Sequence, residues 1–443
     1  MPKAANKADK NDAKTAPIKS DVIIVGAGVP GALCALILAQ DGLKITVIEA
    51  APYPEPQTPK KGARRDAEDD LTTALQSGRT VALMERACDS LGRFGVMAGV
   101  SALAAPLRSL RIIDDSYWPA TDAAGAGRKS STIDEIFHAH EIGQEQFGYN
   151  IPLDPLRRHM LDLLAEHDAV TLLCGAVIGE IAFKSPQNPS AATMRLKGGQ
   201  TCVAPLVIGA DGRGSAVREA AGIELHSAAY DAAAITCLLD HTQDHDGTST
   251  EFHRPSGPFT LVPLQGKRSS LVWVDRADRV AQFMALPPAA LRDAIQERTR
   301  GILGRVELMT KPQSWPLINA RAACLTAPRC ALLAEAAHVV SPIGAQGMNL
   351  SLRDVEDLTD TVRDAAYNGL DIGSAAVLEG YARKRKADMA VRGVGIDAFH
   401  RGVSTDNPFI HRVRRSGLAA ISACSPLRLA LMREGLSPRS RHG

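Results

Sequence analysis

Gly26, Gly28 and Gly31 stand in G-x-G-x-x-G spacing directly after the apolar run Val22 to Val25. Each position favours glycine for a different reason. The first permits a tight turn, the second lets backbone approach a pyrophosphate, and the third lets a helix pack closely on a strand. Glu49 follows about twenty residues on, where a carboxylate accepts hydrogen bonds from ribose hydroxyls. An acid there favours a ribose without a 2′-phosphate, so the pattern reads as a site for FAD or NAD rather than NADP. The glycines alone do not separate those two.

The elements that must position these residues come in the required order. Val22 to Val25 is apolar throughout, as a buried parallel strand is. Ala32 to Gln40 is apolar at helical spacing. The glycines therefore open onto a helix N-terminus, whose unpaired N–H groups and dipole attract phosphate. Ile45 to Ile48 is a second apolar strand, and it delivers Glu49.

The chain has 443 residues, 45% of them hydrophobic and 23% charged. That is an ordinary globular composition with enough chain for two or three domains. No apolar run reaches the roughly 18 residues of a membrane span, and the N-terminus lacks a signal-peptide apolar core. A cytoplasmic protein is the expectation. The eight cysteines are scattered without a CxxC and read as reduced, buried thiols, so no metal site is predicted. Charge is uneven. Residues 381–443 hold 13 basic and 4 acidic residues, a net +9, against 38 and 45, a net −7, in the rest. A basic tail on an acidic body points to an anionic lipid surface or a protein partner rather than to nucleic acid. Arg412, Arg414 and Arg415 cluster there, with Arg428 and Arg433 beyond.

Residues 1–18 lack any apolar period and read as a disordered tail, and 51–70 as a long exposed loop. Helical spacing predicts helices over Arg79 to Leu91, Leu156 to His167, Ala289 to Leu303 and Asn349 to Asn368. Strands are predicted over Leu107 to Ile113, Ile136 to Glu141 and Phe147 to Ile151. A meander is predicted over 170–178, 192–196 and 200–208, ending at Asp211-Gly212, with Ser215 as the N-cap of a helix. Residues 232–239, 249–254, 258–264 and 269–275 read as an antiparallel sheet inserted between nucleotide-binding segments.

A late strand-to-helix turn reads RCALLAEAAHVVSPIGAQGMNLSLRDVEDL over Arg329 to Leu358. Together with RTVAL at 79–83, GYNIP at 148–152 and GADGRGSAVR at 209–218, it resembles the single-component FAD-dependent aromatic hydroxylases. Four stretches narrow the resemblance to the ubiquinone-biosynthesis hydroxylases: TEFHRPSGPFTLVPL at 250–264, SLVWV at 270–274, YARKRKADM at 381–389 and GLAAISACSPLRLALMREGLSP at 417–438. The resemblance spans about residues 19 to 438.

It implies an α/β fold with a Rossmann-like FAD-binding domain, an inserted antiparallel-sheet substrate domain and a helical C-terminal region. The FAD-binding parts would be 19–92, 153–225 and 316–375, the substrate-domain parts 93–152 and 226–315, and the helical region 376–443. The implied cofactors are FAD and NAD(P)H. In the implied reaction O2 adds at the flavin C4a, and the hydroperoxide hydroxylates a polyprenylated phenol; no side chain is singled out as the catalyst.

Cofactor contacts implied beyond Gly26, Gly28, Gly31 and Glu49 are Arg79, Asp211, Gly212, Glu335, Pro342, Gly344, Gln346, Gly347, Met348 and Asn349. The late glycine-rich loop would aim a helix N-terminus at the flavin's pyrimidine edge, where reduced flavin carries negative charge. The family writes Gly-Asp where this chain has Ala334-Glu335, and Glu335 would accept the ribityl hydrogen bond from a shifted position. The Asn-Arg that often follows the GYNIP stretch in relatives is Leu153-Asp154 here, leaving Arg157 as a substitute. His338 reads as a structural histidine. In the inserted sheet, Phe259, Leu261, Val262, Leu264, Leu271 and Trp273 would wall the ring site on one face only. Quinone-biosynthesis subunits and the inner face of the membrane are the expected partners. Two other readings stay open from the residues: a non-catalytic FAD-binding subunit of a quinone-biosynthesis complex, and a hydroxylase of another aromatic substrate.

Overall fold

The computed structural model describes residues 16–54, 75–115, 133–183, 189–340, 346–386 and 425–435. Val22–Val25 lies in a six-stranded sheet ordered Thr326–Ala327, Cys330–Leu332, Leu206–Gly209, Val22–Val25, Ile45–Glu49, Val170–Cys174. Every neighbouring pair is parallel except the first. Strands buried on both faces need continuous apolar runs, and VIIV and LVIG supply them. The helix Val29–Gln40 packs against the sheet and against the helices Leu153–Glu166 and Gln346–Tyr367. Burial from several sides explains why it is apolar nearly all round rather than along one stripe.

A nine-stranded sheet forms the second layer system. Its order is His338–Val339, Gln313–Ala322, Leu225–His241, Arg268–Arg276, Gly257–Leu264, Thr248–Arg254, Ser109–Asp114, Ile133–His138, with Val306–Leu308 paired alongside Leu225–His241. It is antiparallel except for one parallel join, between Thr248–Arg254 and Ser109–Asp114. The helices Ala277–Met284 and Pro288–Arg298 cover one face through Val280, Leu291 and Ile295. A three-stranded sheet of Thr80–Met84, Gly148–Pro152 and Ala105–Pro106 lies between the two systems. From it, Asn150 donates to the Pro263 carbonyl at 2.9 Å and to Ser270 Oγ at 3.3 Å.

Several expectations are corrected. The segment 79–91 is a strand, Thr80–Met84, followed by the helix Glu85–Gly92. Pairing with GYNIP, far away in sequence, overrides the local helical spacing. The meander over 170–208 divides between two sheets. Val170–Cys174 and Leu206–Gly209 join the parallel sheet, and Ile178–Ala182, Ala192–Leu196 and Thr201–Ala204 form a separate antiparallel set. Ile18–Lys19 pairs with that set, so the tail stops short of residue 18; residues 1–15 and 55–74 lie outside the described residues. The strand predicted to reach Glu141 ends at His138, where a 3-10 turn, Ala139–Ile142, begins in a capping box with Glu141. The helix predicted from Asn349 begins at Gln346. Cys34, Cys88, Cys202, Cys237 and Cys330 are buried. Burial pushes the Cys88 and Cys237 thiols up to about 12, which disfavours their thiolates.

Of the C-terminal region, 375–386 and Ser425–Gly435 are helical and described. Ser425–Gly435 docks on the edge of the nine-stranded sheet. Met432 is buried with Phe137, Ala139 and Phe147. Arg428 donates twice to Glu141, at 2.7 and 2.8 Å, and lies 4.3 Å from the centre of the Phe137 ring. The Arg428 guanidinium holds the Glu141 carboxyl down at about 2. This contribution to docking is complete above the ordinary carboxylate range and is lost as pH falls through about 2. Arg428 is thus turned inward, not presented with the basic cluster. Arg412, Arg414 and Arg415 lie outside the described residues.

Candidate cofactor and substrate site

The glycine loop closes by interactions that explain two of its three glycines. Gly26 has φ +98°, and a Cβ there would run into the Ala210 carbonyl and the Asp211 amide. A Cβ on Gly31 would run into the Gly26 carbonyl oxygen and lie 3.1 Å from Ala210 Cβ. Gly28 is different. It caps the helix Val29–Gln40 with φ −68°, and its Cβ would meet only Pro30 Cδ, at 3.9 Å. The chain itself has no need of glycine at 28, and the ground above it is open at a helix N-terminus.

Glu49 anchors this loop. Its carboxylate accepts from Ala27 N at 2.8 Å and Ala51 N at 2.9 Å. Arg157 sits 3.3 Å from Glu49 Oε2, and its Nε donates to the Ala27 carbonyl, also at 3.3 Å. The helix Leu153–Glu166 therefore brings Arg157 to the glycine loop. Arg79 instead forms an exposed pair with Asp154, 3.3 Å apart, at the start of the same helix. Asp211 accepts from Val217 N at 3.2 Å through Oδ2, while its Oδ1 is buried with no partner among the described residues. Gly212 follows with φ +78°. Ser215 is the N-cap of Ala216–Ala220, accepting from Arg218 N at 2.9 Å.

At the late turn, Ala334 has φ +55°, a left-handed conformation in which its Cβ is strained. Its N–H donates to Asp354 Oδ2 at 3.0 Å, and the turn presents Glu335 to solvent. His338 Nε2 lies 2.6 Å from Asp354 Oδ2, and both side chains are buried. Arg385 pairs with Asp354 at 2.6 Å and with Asp357 at 3.2 Å. Tyr381 donates to the Leu332 carbonyl at 2.8 Å, which ties the same C-terminal helical segment to the strand before the turn. His338 is thus held in a buried ionic network, as a structural histidine is. Gly347 and Met348 are half-buried in the first turn of the helix Gln346–Tyr367. Asn349 receives Met84 N–H at 2.9 Å and donates to the Ala82 carbonyl at 2.9 Å. Its side chain ties the helix start to the strand Thr80–Met84. Pro342, Gly344 and the side chain of Gln346 lie outside the described residues. Ala334→Gly is expected to raise the thermal midpoint by relieving the roughly 1 kcal/mol that a left-handed Cβ costs; an unchanged or lower midpoint in a melting scan would count against that strain.

The inserted sheet divides its apolar residues as alternation requires. Phe259, Leu261, Leu271 and Trp273 are buried against the two covering helices and are core, so they do not wall a ring site. Leu264 is also core, packed with Leu75 and Leu238. Val262 and Val272, half-buried, lie on the opposite face. That face also carries Glu251 and His253, which sequence reasoning passed over. A Glu-x-His in a strand gives no signal until the buried face is known.

These residues fit a nucleotide cofactor: open ground over a glycine the chain does not require, an acid where ribose hydroxyls come, and an orphaned carboxylate oxygen on Asp211 beside Gly26. Fold and cradle together define the class, a nucleotide-binding α/β protein with an inserted antiparallel sheet. The same fold is found in p-nitrophenol 4-monooxygenase PnpA of Pseudomonas putida DLL-E4, with a TM-score of 0.71 at 18% identity, covering 96% of this chain and 100% of that one. The FAD binding domain family matches residues 69–390. Ubiquinone hydroxylase UbiL of Rhodospirillum rubrum is 32% identical over 422 residues, 94% of this chain and 89% of that protein. The 3-demethoxyubiquinol 3-hydroxylase of Escherichia coli is 31% identical over 422 residues, 94% of this chain and 98% of that protein. The chain belongs to this family of FAD-dependent ubiquinone-biosynthesis hydroxylases.

Proposed function

We propose that this enzyme hydroxylates the aromatic ring of a polyprenylated phenol on the route to ubiquinone, with NAD(P)H as reductant and O2 as oxygen source. The observation that carries the reading is similarity along 94% of the chain to two ubiquinone hydroxylases. Bound FAD supplies the redox chemistry and delivers one oxygen atom to the ring. The chain's own residues hold and aim. Gly26, Gly28, Gly31 and the N-terminus of Val29–Gln40 take the pyrophosphate, and Glu49 with Arg157 takes the adenosine ribose. Asp211 and Gly212 flank the cradle, and Glu335 accepts from the ribityl chain. Residues 342–349 are assigned to the flavin ring. Arg79, paired with Asp154, is assigned to the outer rim.

Purified enzyme given a short-chain 2-prenylphenol should consume NAD(P)H and O2 in step with ring hydroxylation. A deletion strain should accumulate one under-hydroxylated quinone precursor. Oxygen uptake indifferent to any prenylphenol, with no precursor accumulating, would leave the non-catalytic reading in its place.

No helix among the described residues is long and apolar enough to cross a membrane. We assign contact with the inner membrane face, or with a quinone-biosynthesis subunit, to the basic residues Arg412, Arg414 and Arg415. Basic residues near anionic lipid gain about 1 kcal/mol each. Wild-type protein should float with anionic liposomes at low salt, and an Arg412/Arg414/Arg415→Glu triple variant should not. Wild type remaining in the pellet fraction would assign the surface to a protein partner.

A further inference from the structure

Glu251 and His253 flank Phe252 in the strand Thr248–Arg254. Phe252 is buried in the core under the covering helices, so its two neighbours lie on the other face of the sheet. Both are buried, Glu251 to 6% and His253 to 1% exposure, and His253 Nε2 donates to Glu251 Oε1 at 2.8 Å. Glu251 stands opposite Thr260 on one side and Ile112 on the other. Ile112 packs in one cluster with Met84 and Phe147. Met84 N–H is bonded to Asn349, at the start of the helix behind the late turn. The pair therefore stands on the sheet face whose neighbours, through Ile112 and Met84, lead to the start of the helix Gln346–Tyr367, beside an apolar cluster.

The same strand shows what a purely structural charge looks like here. Arg254 is buried on the core side with Asp115 at 3.0 Å, its guanidinium 4.9 Å from the Phe252 ring centre. Glu251 has an imidazole as its partner instead, at 2.8 Å. Among the described residues, the charged ones that follow this face across the neighbouring strands are Asp114, opposite His253, and Glu135, one strand further out and 3.8 Å from Arg428.

We propose that Glu251 is a catalytic base that takes the phenolic proton of the ring substrate, with His253 as its positioning residue; this rests on the phenol reading above. The substrate O–H bond breaks, and its proton moves to a Glu251 carboxylate oxygen. The electron pair stays on the ring oxygen and raises electron density at the ring carbons ortho and para to it. Once the new oxygen is on the ring, that carbon loses its hydrogen as a proton to solvent. Glu251 then returns its own proton to the ring oxygen, and the carboxylate ends as it began.

The test uses FAD-loaded enzyme and two probes, a short-chain 2-prenylphenol and a 2-prenyl-4-nitrophenol whose ionised form absorbs in the visible. Wild type should bind the nitrophenol in its ionised form, and Glu251→Gln should bind it neutral. Glu251→Gln should also lower kcat about a hundredfold or more, as loss of a general base does, with KM and FAD affinity little changed. Glu251→Asp should recover part of the turnover. His253→Gln should lower kcat less than Glu251→Gln does. If Glu251→Gln is purified without FAD, Glu251→Asp carries the spectral test, and a neutral bound chromophore there overturns the proposal. Wild-type turnover together with wild-type turnover and spectrum in Glu251→Gln overturns the base alone. A wild type that leaves prenylphenols unhydroxylated overturns both the base and the substrate reading.

Discussion

Gly28→Val protein is expected to fold and to come off the column without flavin, while Gly31→Ala protein is expected not to fold stably. The two glycines belong to one motif, yet the structure separates what each is for. At 31 the missing Cβ faces the chain's own backbone, the Gly26 carbonyl oxygen, with Ala210 Cβ 3.1 Å away. Neither the loop nor the helix can yield without moving the strand Val22–Val25, so the change should cost about 3 kcal/mol or more, the upper end for overpacking. At 28 the backbone is ordinary and the nearest atom is 3.9 Å away. Any loss must come from the ligand: crowding of about 1–3 kcal/mol weakens FAD by about fivefold to over a hundredfold. Thermal melts and flavin titrations of both variants decide it. Gly28→Val with full flavin occupancy would remove the pyrophosphate from this loop. Gly31→Ala melting like wild type would mean that the helix and strand are not packed as described.

Asp354→Ala should be the most damaging single truncation in the late turn. Its carboxylate meets Arg385, His338 and the Ala334 amide at once, with Asp354 and Arg385 each 1% exposed. Removing it leaves the Arg385 guanidinium buried without its 2.6 Å partner, beside Asp357 at 3.2 Å, and breaking such a pair costs about 3–5 kcal/mol. The change should also weaken FAD, because the Ala334 amide and His338 fix the turn that presents Glu335. Replacing Arg385 by Met in the same protein should return part of the stability, since an apolar pair is cheaper to bury than a lone charge. If Asp354→Ala and wild type share one melting temperature, the network is ornamental.

The sequence marks strongly what is local. The glycine turn, the strand that ends in Glu49 and the Ser215 cap are each read from a few neighbouring residues, and the structure places them as read. It marks weakly whatever depends on a distant partner. Thr80–Met84 is a strand because of Gly148–Pro152, and nothing within 79–91 announces that. The wall residues were a choice between two faces, and only the helices packed over Phe259 and Trp273 decide which face is core. For the same reason Glu251 and His253 carried no signal, although they lie in a stretch already noted for its resemblance. Arg157 was a substitute by position, and the fold brings it to the glycine loop. Arg428, grouped by charge with its neighbours, is claimed by Glu141.

The docking of Ser425–Gly435 has a consequence for the basic stretch that precedes it. That stretch leaves the body just after Arg385, which is sealed in an ionic network, and rejoins it at a helix pinned by Arg428 and Met432. Both ends of residues 387–424 are therefore tied to the body. The chain that carries Arg412, Arg414 and Arg415 is held on one side at Arg385 and on the other at the edge of the sheet that carries Glu251. Cutting either attachment would free one end of this stretch without removing a charge from it.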